Sequence, residues 1–388
     1  MTTRTGPTGR DSNSRSDAEA APHSTESTTT EPAPTDPATA PTAASAITPS
    51  TRRPVGVRVL VVLLAAVLAQ LALIAAFTGA LAKPSLRDAH VGVVVPAGAA
   101  ITQSAPPGVS YRMVSTASDA RRQVRDGDLP AALVVAGDTA GVGDHATLYV
   151  GGAAGPSLTA AFEQALTTEA QANHTYLTVQ DLRPLPTSDP RGFGTFLLVI
   201  GWVIGGYLGM MLLTRVLGPV MRSPRGVARL LGWTLGYAVA SAGLGVLLVG
   251  PIMGVVTTSP GTLIAAGTLI AAGTLIVFTV ATFTAAMLSL IGLPGLIIAV
   301  GTLVILGNPT SGGAVPPAML ARGWRVLADI LPTNAGVSLV HGIAYYANHQ
   351  IATPLTTLAV YASASIFALV ALAVRRQMTA RTVPATVG

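Results

Sequence analysis

The chain is 388 residues long, 50% hydrophobic and only 10% charged, with a mean hydropathy of +0.57. A water-soluble domain carries roughly 25% charged residues, so a soluble enzyme is excluded, and the long apolar runs exclude a wholly disordered chain. The net charge of +6 is almost all arginine, and the arginines stand beside apolar runs, where they set orientation in a membrane and give no sign of nucleic-acid binding.

Residues 1–53 hold five Arg and six Asp/Glu in a Ser/Thr/Pro/Ala background with no hydrophobic period. Such a segment buries too little surface to offset its chain entropy, so a disordered cytoplasmic tail is expected. An uncharged run from Val59 to Ala82 follows Arg52, Arg53 and Arg58. It exceeds the ~20 residues that a span needs. Ala80-Leu81-Ala82 resembles a signal-peptidase site, but the apolar run is longer than a secretory core and the preface is long. An uncleaved anchor over 54–82 with its N-terminal side inside is therefore expected.

From Lys83 to Arg191 there are eight basic and ten acidic residues, a soluble composition. His90–Val95 and Ala131–Ala136 are continuous apolar runs of the buried-strand kind, and Ala146–Val150 is a shorter one. Ser118–Asp126 predicts a polar helix with Ser and Asp at its cap. Pro156–His174 predicts a helix with Leu158, Ala161, Phe162, Ala165 and Leu166 on one face. Residues 83–191 thus read as a small α/β extracytoplasmic domain.

The rest, 192–376, reads as a five-helix membrane domain. Phe193–Leu213 is the next span, followed by a loop with Arg215, Arg222, Arg225 and Arg229 and no acid. Residues 230–321 carry no charge at all. Three spans there, near 230–252, 260–284 and 286–306, put both this loop and the tail with Arg375, Arg376 and Arg381 inside. Two spans would put the tail outside, against the positive-inside rule. A last span at Leu355–Val374 gives six transmembrane helices, with a short tail at 377–388 and both termini cytoplasmic.

Several chemistries are missing from the sequence. Lys83 is the sole lysine and precedes Pro84, so no GxxxxGK[ST] phosphate loop exists, nor HExxH, GxSxG or kinase motifs. No cofactor and no metal are expected, and any ATP hydrolysis falls to another polypeptide. The spans hold no Asp, Glu, Lys or Arg, which argues against a proton-relay carrier. His341 and His349 are expected in an ordinary interfacial role.

Four features remain. Gly201, Gly205 and Gly209 form a doubled GxxxG that opens one helix face to close packing, within a subunit or between two. The Arg215–Arg229 loop reads as a topology anchor or as a docking loop for a cytoplasmic ATPase. Gly261–Ile276 repeats GTLIAA with a period that moves its glycines round a helix, and reads as a tolerated duplication. Beyond the fifth span, Gly307-Asn308-Pro309-Thr310-Ser311-Gly312-Gly313 with Pro316-Pro317 reads as turns that cannot be part of a span. An amphipathic helix is expected over Ala318–Leu331, with Leu320, Trp324, Leu327 and Leu331 on one side and Arg322, Arg325 and Asp329 on the other. A second is expected near Ala335–Ala347, with Tyr345-Tyr346 at the interface. This external hairpin, 307–353, would lie on or dip into the membrane.

One span, a small α/β domain opening with HVGVVV, then five spans with a GNPTSGG loop, Leu331-Pro332 and Tyr345-Tyr346, resembles the YhgE/Pip group of bacterial membrane proteins and the type 2 ABC exporter permeases. The resemblance covers about residues 58–376. It implies a permease fold in the bacterial cell membrane, working as a homodimer or heterodimer beside a separate ATPase. The function expected is export of a lipid, peptide or hydrophobic substrate, with membrane lipids as partners and no nucleic acid. The alternative is a non-transporting envelope receptor or scaffold that presents its external domain. The short external domain and the 1–53 preface depart from the group's pattern.

Overall fold

The computed structural model describes residues 55–81, 84–95, 105–136, 145–217, 223–252 and 262–382. The expected tail at 1–53, Arg222, Gly261 and residues 383–388 lie outside the described residues. Five described helices are long and apolar enough to cross a membrane, and a bent helix pair would make a sixth. The protein is polytopic, with a small α/β domain beside its N-terminal helix.

The α/β domain has five strands: β1 (Ala89–Val94), β2 (Val109–Met113), β3 (Ala131–Ala136), β4 (His145–Val150) and β5 (Tyr176–Asp181), in the spatial order β2-β1-β3-β4-β5. β1 is parallel to β2 and β3, β3 is antiparallel to β4, and β4 is parallel to β5. Two helices cover opposite faces. α2 (Ala117–Asp126) packs Ala120 and Val124 with Leu129, Ala132 and Tyr149. α3 (Pro156–Ala172) packs Leu158, Phe162 and Leu166 against Val91, Ala131, Leu148 and Val150. Coverage on both faces is why β1 and β3 are continuous apolar runs.

The α2 cap is Thr116, not Ser118: its hydroxyl accepts from Asp119 N at 3.1 Å, and Gly127 closes the helix at φ 84°. β2 and β5 were not foreseen. Both are edge strands, and β5 is exposed along most of its length.

α1 (Val55–Leu81) runs to the α/β domain. α4 (Phe193–Leu217), α5 (Pro224–Ile252), α6 (Thr262–Ile291), α7 (Leu293–Thr310) and α10 (Ala352–Thr382) form the bundle. At the end away from the α/β domain, Met210, Leu230, Ala285 and Ala373 from four of these helices share one cluster, and Arg376 Nη2 donates to Ser289 O at 2.9 Å. α6 is central, burying Ile276, Val277, Val280 and Ala281 against its neighbours. Its buried threonines satisfy their own hydroxyls: Thr282 and Thr284 each donate to the carbonyl four residues back at 2.8 Å.

Two boundaries differ from expectation. α6 continues to Ile291, and the chain turns at Gly292 (φ 69°), with Pro294 in the first turn of α7. α7 then runs through Gly307-Asn308-Pro309-Thr310 instead of ending at 306. Pro309 lacks an N–H donor, and the wide turns at Gly301–Leu306 just before it relax the helical ladder, which lets the helix absorb the proline.

α8 (Arg322–Ile330) and α9 (Pro332–Tyr345) are bent by 75° at Leu331. α8 packs Ala328 and Trp324 near Ala80 at the end of α1. α9 is not a surface helix: Ala335, Val337, Leu339 and Val340 are buried in the bundle core, and Gly336 abuts Val199 and Ile276. The pair dips into the bundle and returns to the α/β domain.

Candidate functional site

The loop after α7 is the seam between bundle and α/β domain. Ser85 N and Arg87 N donate to the carbonyls of Met319 and Ala318 at 3.5 and 3.3 Å, and Met319 itself fills the sheet's core beside Phe162. Each conspicuous residue has a mechanical reason. Gly307 lets α7 pass close to Thr333 of α9. Thr310 and Ser311 turn their hydroxyls onto Leu306 O and Asn308 O, both at 2.7 Å. Pro309, Thr310 and Ser311 are buried. Gly312 takes φ 80°, a conformation that glycine allows without strain. Gly313 is pressed against Phe196, Pro316 seats under Gly155, and Pro317 opens a single 3₁₀ turn, Pro317–Met319.

Arg325 locks the same seam. It does not face solvent with Arg322 and Asp329; its Nη2 donates to Arg87 O and, at 3.2 Å, to Ala318 O. Close by, Asp88 accepts from Ser110 Oγ at 2.5 Å, and this bond, with the charges of His90 and Arg325, holds its carboxyl below the usual carboxylate range.

A second set of contacts lies at the other end of the hairpin. Asp189 is buried and its carboxylate accepts from Phe193 N at 3.0 Å, Gly194 N at 2.7 Å and Tyr345 OH at 3.2 Å. It therefore caps α4 and ties α9 to that cap. His341 donates from Nε2 to Ala153 O at 2.5 Å, which puts the proton on that nitrogen, and its ring packs edge-on to Tyr345 with centroids 4.6 Å apart. Tyr346 is buried beneath Gly127. The tyrosine pair thus lies in the joint between the two regions.

Two adjoining clefts, of about 240 and 170 Å³, share Ala154, Gly312, Pro316 and His341. The smaller is lined by Asn334, Ser338 and His341, which share one face of α9. Asn334 Oδ1 is buried there without a hydrogen-bond partner.

The glycine stripe divides. Tyr237 of α5 lies over Gly205 and Gly209 and donates its hydroxyl to Gly205 O at 2.8 Å, so these two serve packing within the subunit. Gly206 receives Val280 of α6, and a Cβ on Gly201 would meet nothing within 4 Å. The GTLIAA glycines also diverge: Gly273 takes Trp202 while Gly267 is open. Arg215, Arg225 and Arg229 are exposed at the end away from the α/β domain, with no ion-pair partner among the described residues. The structure brings the loop motif together with Asp189, His341 and Arg325, which the sequence did not single out as a group. The Asp189-to-Phe193 spacing, a carboxylate just before an apolar helix, was the readable signal.

No family model, no curated protein and no solved structure matches this chain.

Proposed function

We propose that the chain is a six-span permease-like subunit in the bacterial cell membrane, of the YhgE/Pip and type 2 ABC exporter kind. The α/β domain lies outside, and both termini lie in the cytoplasm. Two copies, or this chain and a similar one, pair beside a separate ATPase that supplies all hydrolysis. The cargo is a lipid, peptide or hydrophobic compound. The observation that carries the reading is the polarity of the bundle. The helices α4 to α7 and α10 carry charge only near the end away from the α/β domain, and that end presents Arg215, Arg225 and Arg229 exposed and without an ion-pair partner among the described residues. Exposed arginines without acids suit an acidic cytoplasmic surface. The seam supports it too, because a hairpin seated in the core and tied to the α/β domain at both ends is a means of linking motion at one end to the other.

The test is a mild-detergent pull-down from native membranes, parent beside the double variant Arg225→Glu/Arg229→Glu. An ATPase at near-equal amount with the parent and a loss of about tenfold or more with the variant is the expected outcome. An ATPase retained by the variant removes the docking role. None in either removes the exporter reading and leaves the receptor or scaffold, which has its own support in the open β5 edge, where Tyr176 and Val179 are exposed.

A further inference from the structure

Between α4 and α5, in the half of the bundle next to the α/β domain, is a cleft of about 400 Å³ lined by Gly194, Leu197, Gly201, Trp202, Gly245 and Leu248. It opens on the lipid-facing flank, where Leu197 is 61% and Leu248 50% exposed. Its floor is built and rigid: Trp202 is buried, wedged against Gly245, and its Nε1 donates to Ser241 O at 3.3 Å. With that bond made, the indole asks for no polar partner, and an apolar cleft does not hold ordered water. Gly201 is what keeps the space open.

We propose that this cleft holds one acyl chain of an anionic phospholipid, with the lipid phosphate at Arg191. Arg191 lies three residues before Gly194, just ahead of α4 and at the rim of the 240 Å³ cleft described above; it is exposed and has no ion-pair partner among the described residues. The nearest acid in sequence, Asp189, is already engaged by two backbone N–H groups and Tyr345, so the guanidinium is free to pair with a phosphate. A helix from a second copy is the poorer occupant. It measures about 10–12 Å across, and the glycines that would extend the cleft into a helix-wide face, Gly205 and Gly209, are covered by Tyr237. The inference needs only that the chain sits in a bilayer, and it stands apart from the ATPase and from transport.

Trp202 is a reporter in the right place. With Trp233→Phe and Trp324→Phe it becomes the only tryptophan of the three in the chain. The full chain is reconstituted in phosphatidylcholine vesicles to which phosphatidylglycerol or phosphatidylcholine, brominated on the acyl chain, is added in steps. The expected result is half-maximal quenching at a several-fold lower mole fraction of the brominated phosphatidylglycerol. Gly201→Leu, at a position where a Cβ meets nothing within 4 Å, adds bulk to the cleft and should abolish the early quenching, and Arg191→Gln should make the two lipids equal. Equal quenching by both lipids in the parent overturns the anionic assignment. Unchanged quenching in Gly201→Leu overturns the acyl chain's place. A dimer that becomes a monomer in Gly201→Leu names a second copy as the occupant and overturns the proposal too. None of these readings involves the ATPase, so the proposed function stands or falls separately.

Discussion

α1 and α6 are both long, uncharged over most of their length and rich in Leu, Ala and Val, yet one is at the rim and the other at the centre. Along α1, Leu60, Leu64, Leu68, Leu71 and Ile74 are all more than half exposed, and among the described side chains only Ala76 and Ala80 are buried. Along α6, Ile276, Val277, Val280, Ala281, Ala285 and Ala286 are buried almost completely. Lipid is as apolar as leucine, so hydrophobicity cannot decide which helix goes inside. Side-chain size decides it. α6 alternates its larger residues with Ala, Gly and Thr, which let α4, α5 and α10 approach; α1 carries mostly branched aliphatics and meets its neighbours through Gly79 and two alanines.

The comparison breaks most easily at the centre. Gly206→Leu puts a side chain into Val280, whose Cγ1 is already 2.8 Å from the position of a Cβ, and Ala281→Leu adds bulk to a fully buried site. Overpacking costs typically about 1–3 kcal/mol, so each variant should lower Tm by several degrees in detergent, read by intrinsic tryptophan fluorescence. Leu64→Ala in α1 changes as many atoms as Ala281→Leu but at an exposed site, and is expected within about 0.5 kcal/mol of the parent. A cost for Leu64→Ala equal to that of Ala281→Leu would mean that α1 is packed against protein in the working assembly.

How far the sequence could be read follows the same line. Charge marked the small α/β domain and the arginines exposed at the opposite end, because charge is costly in lipid and its distribution is a strong constraint. The apolar runs located β1 and β3, which are covered on both faces. β5 escaped because an exposed edge strand such as Tyr176–Asp181 has no buried run to announce it. The Gly292 corner escaped because a turn between two apolar helices leaves no polar punctuation. Pro309 misled: a proline after glycine and asparagine reads as a turn, and only the widened turns upstream, visible in three dimensions, let the helix continue. Arg325, grouped with Arg322 and Asp329 by helical periodicity, donates to Arg87 O and Ala318 O. Periodicity gives the face, but not what covers it.

A more local effect is expected at the joint. Asp189→Asn keeps the shape but replaces one acceptor oxygen by an NH₂ group facing the N–H donors of Phe193 and Gly194. Leaving such a donor unsatisfied costs about 1–3 kcal/mol. The loss should be concentrated where α4 and α9 meet, so amide exchange is expected to rise in 189–196 and 341–346 while α6 stays protected. Uniform loss of protection across α6 would show instead that the joint and the core form one cooperative unit.

The smallest effect is expected at the rim, and it isolates what α1 contributes. Gly79 is where α1 meets Trp324, and a Cβ there would lie 3.1 Å from Cζ2 of that ring. The contact is tight enough to demand a shift of a few tenths of an ångström, but Trp324 is half-buried at the edge of its cluster and has room to give. Gly79→Ala should therefore leave the stability within about 0.5 kcal/mol of the parent, since the helix also gains from replacing glycine. Its signature is optical: with Trp202 and Trp233 replaced by Phe, the emission of Trp324 should shift to the red as the ring is pushed toward its surroundings. If Tm falls by as much as for Gly206→Leu, the hold of α8 on α1 is structural on the same scale as the core, and size alone does not separate the two helices.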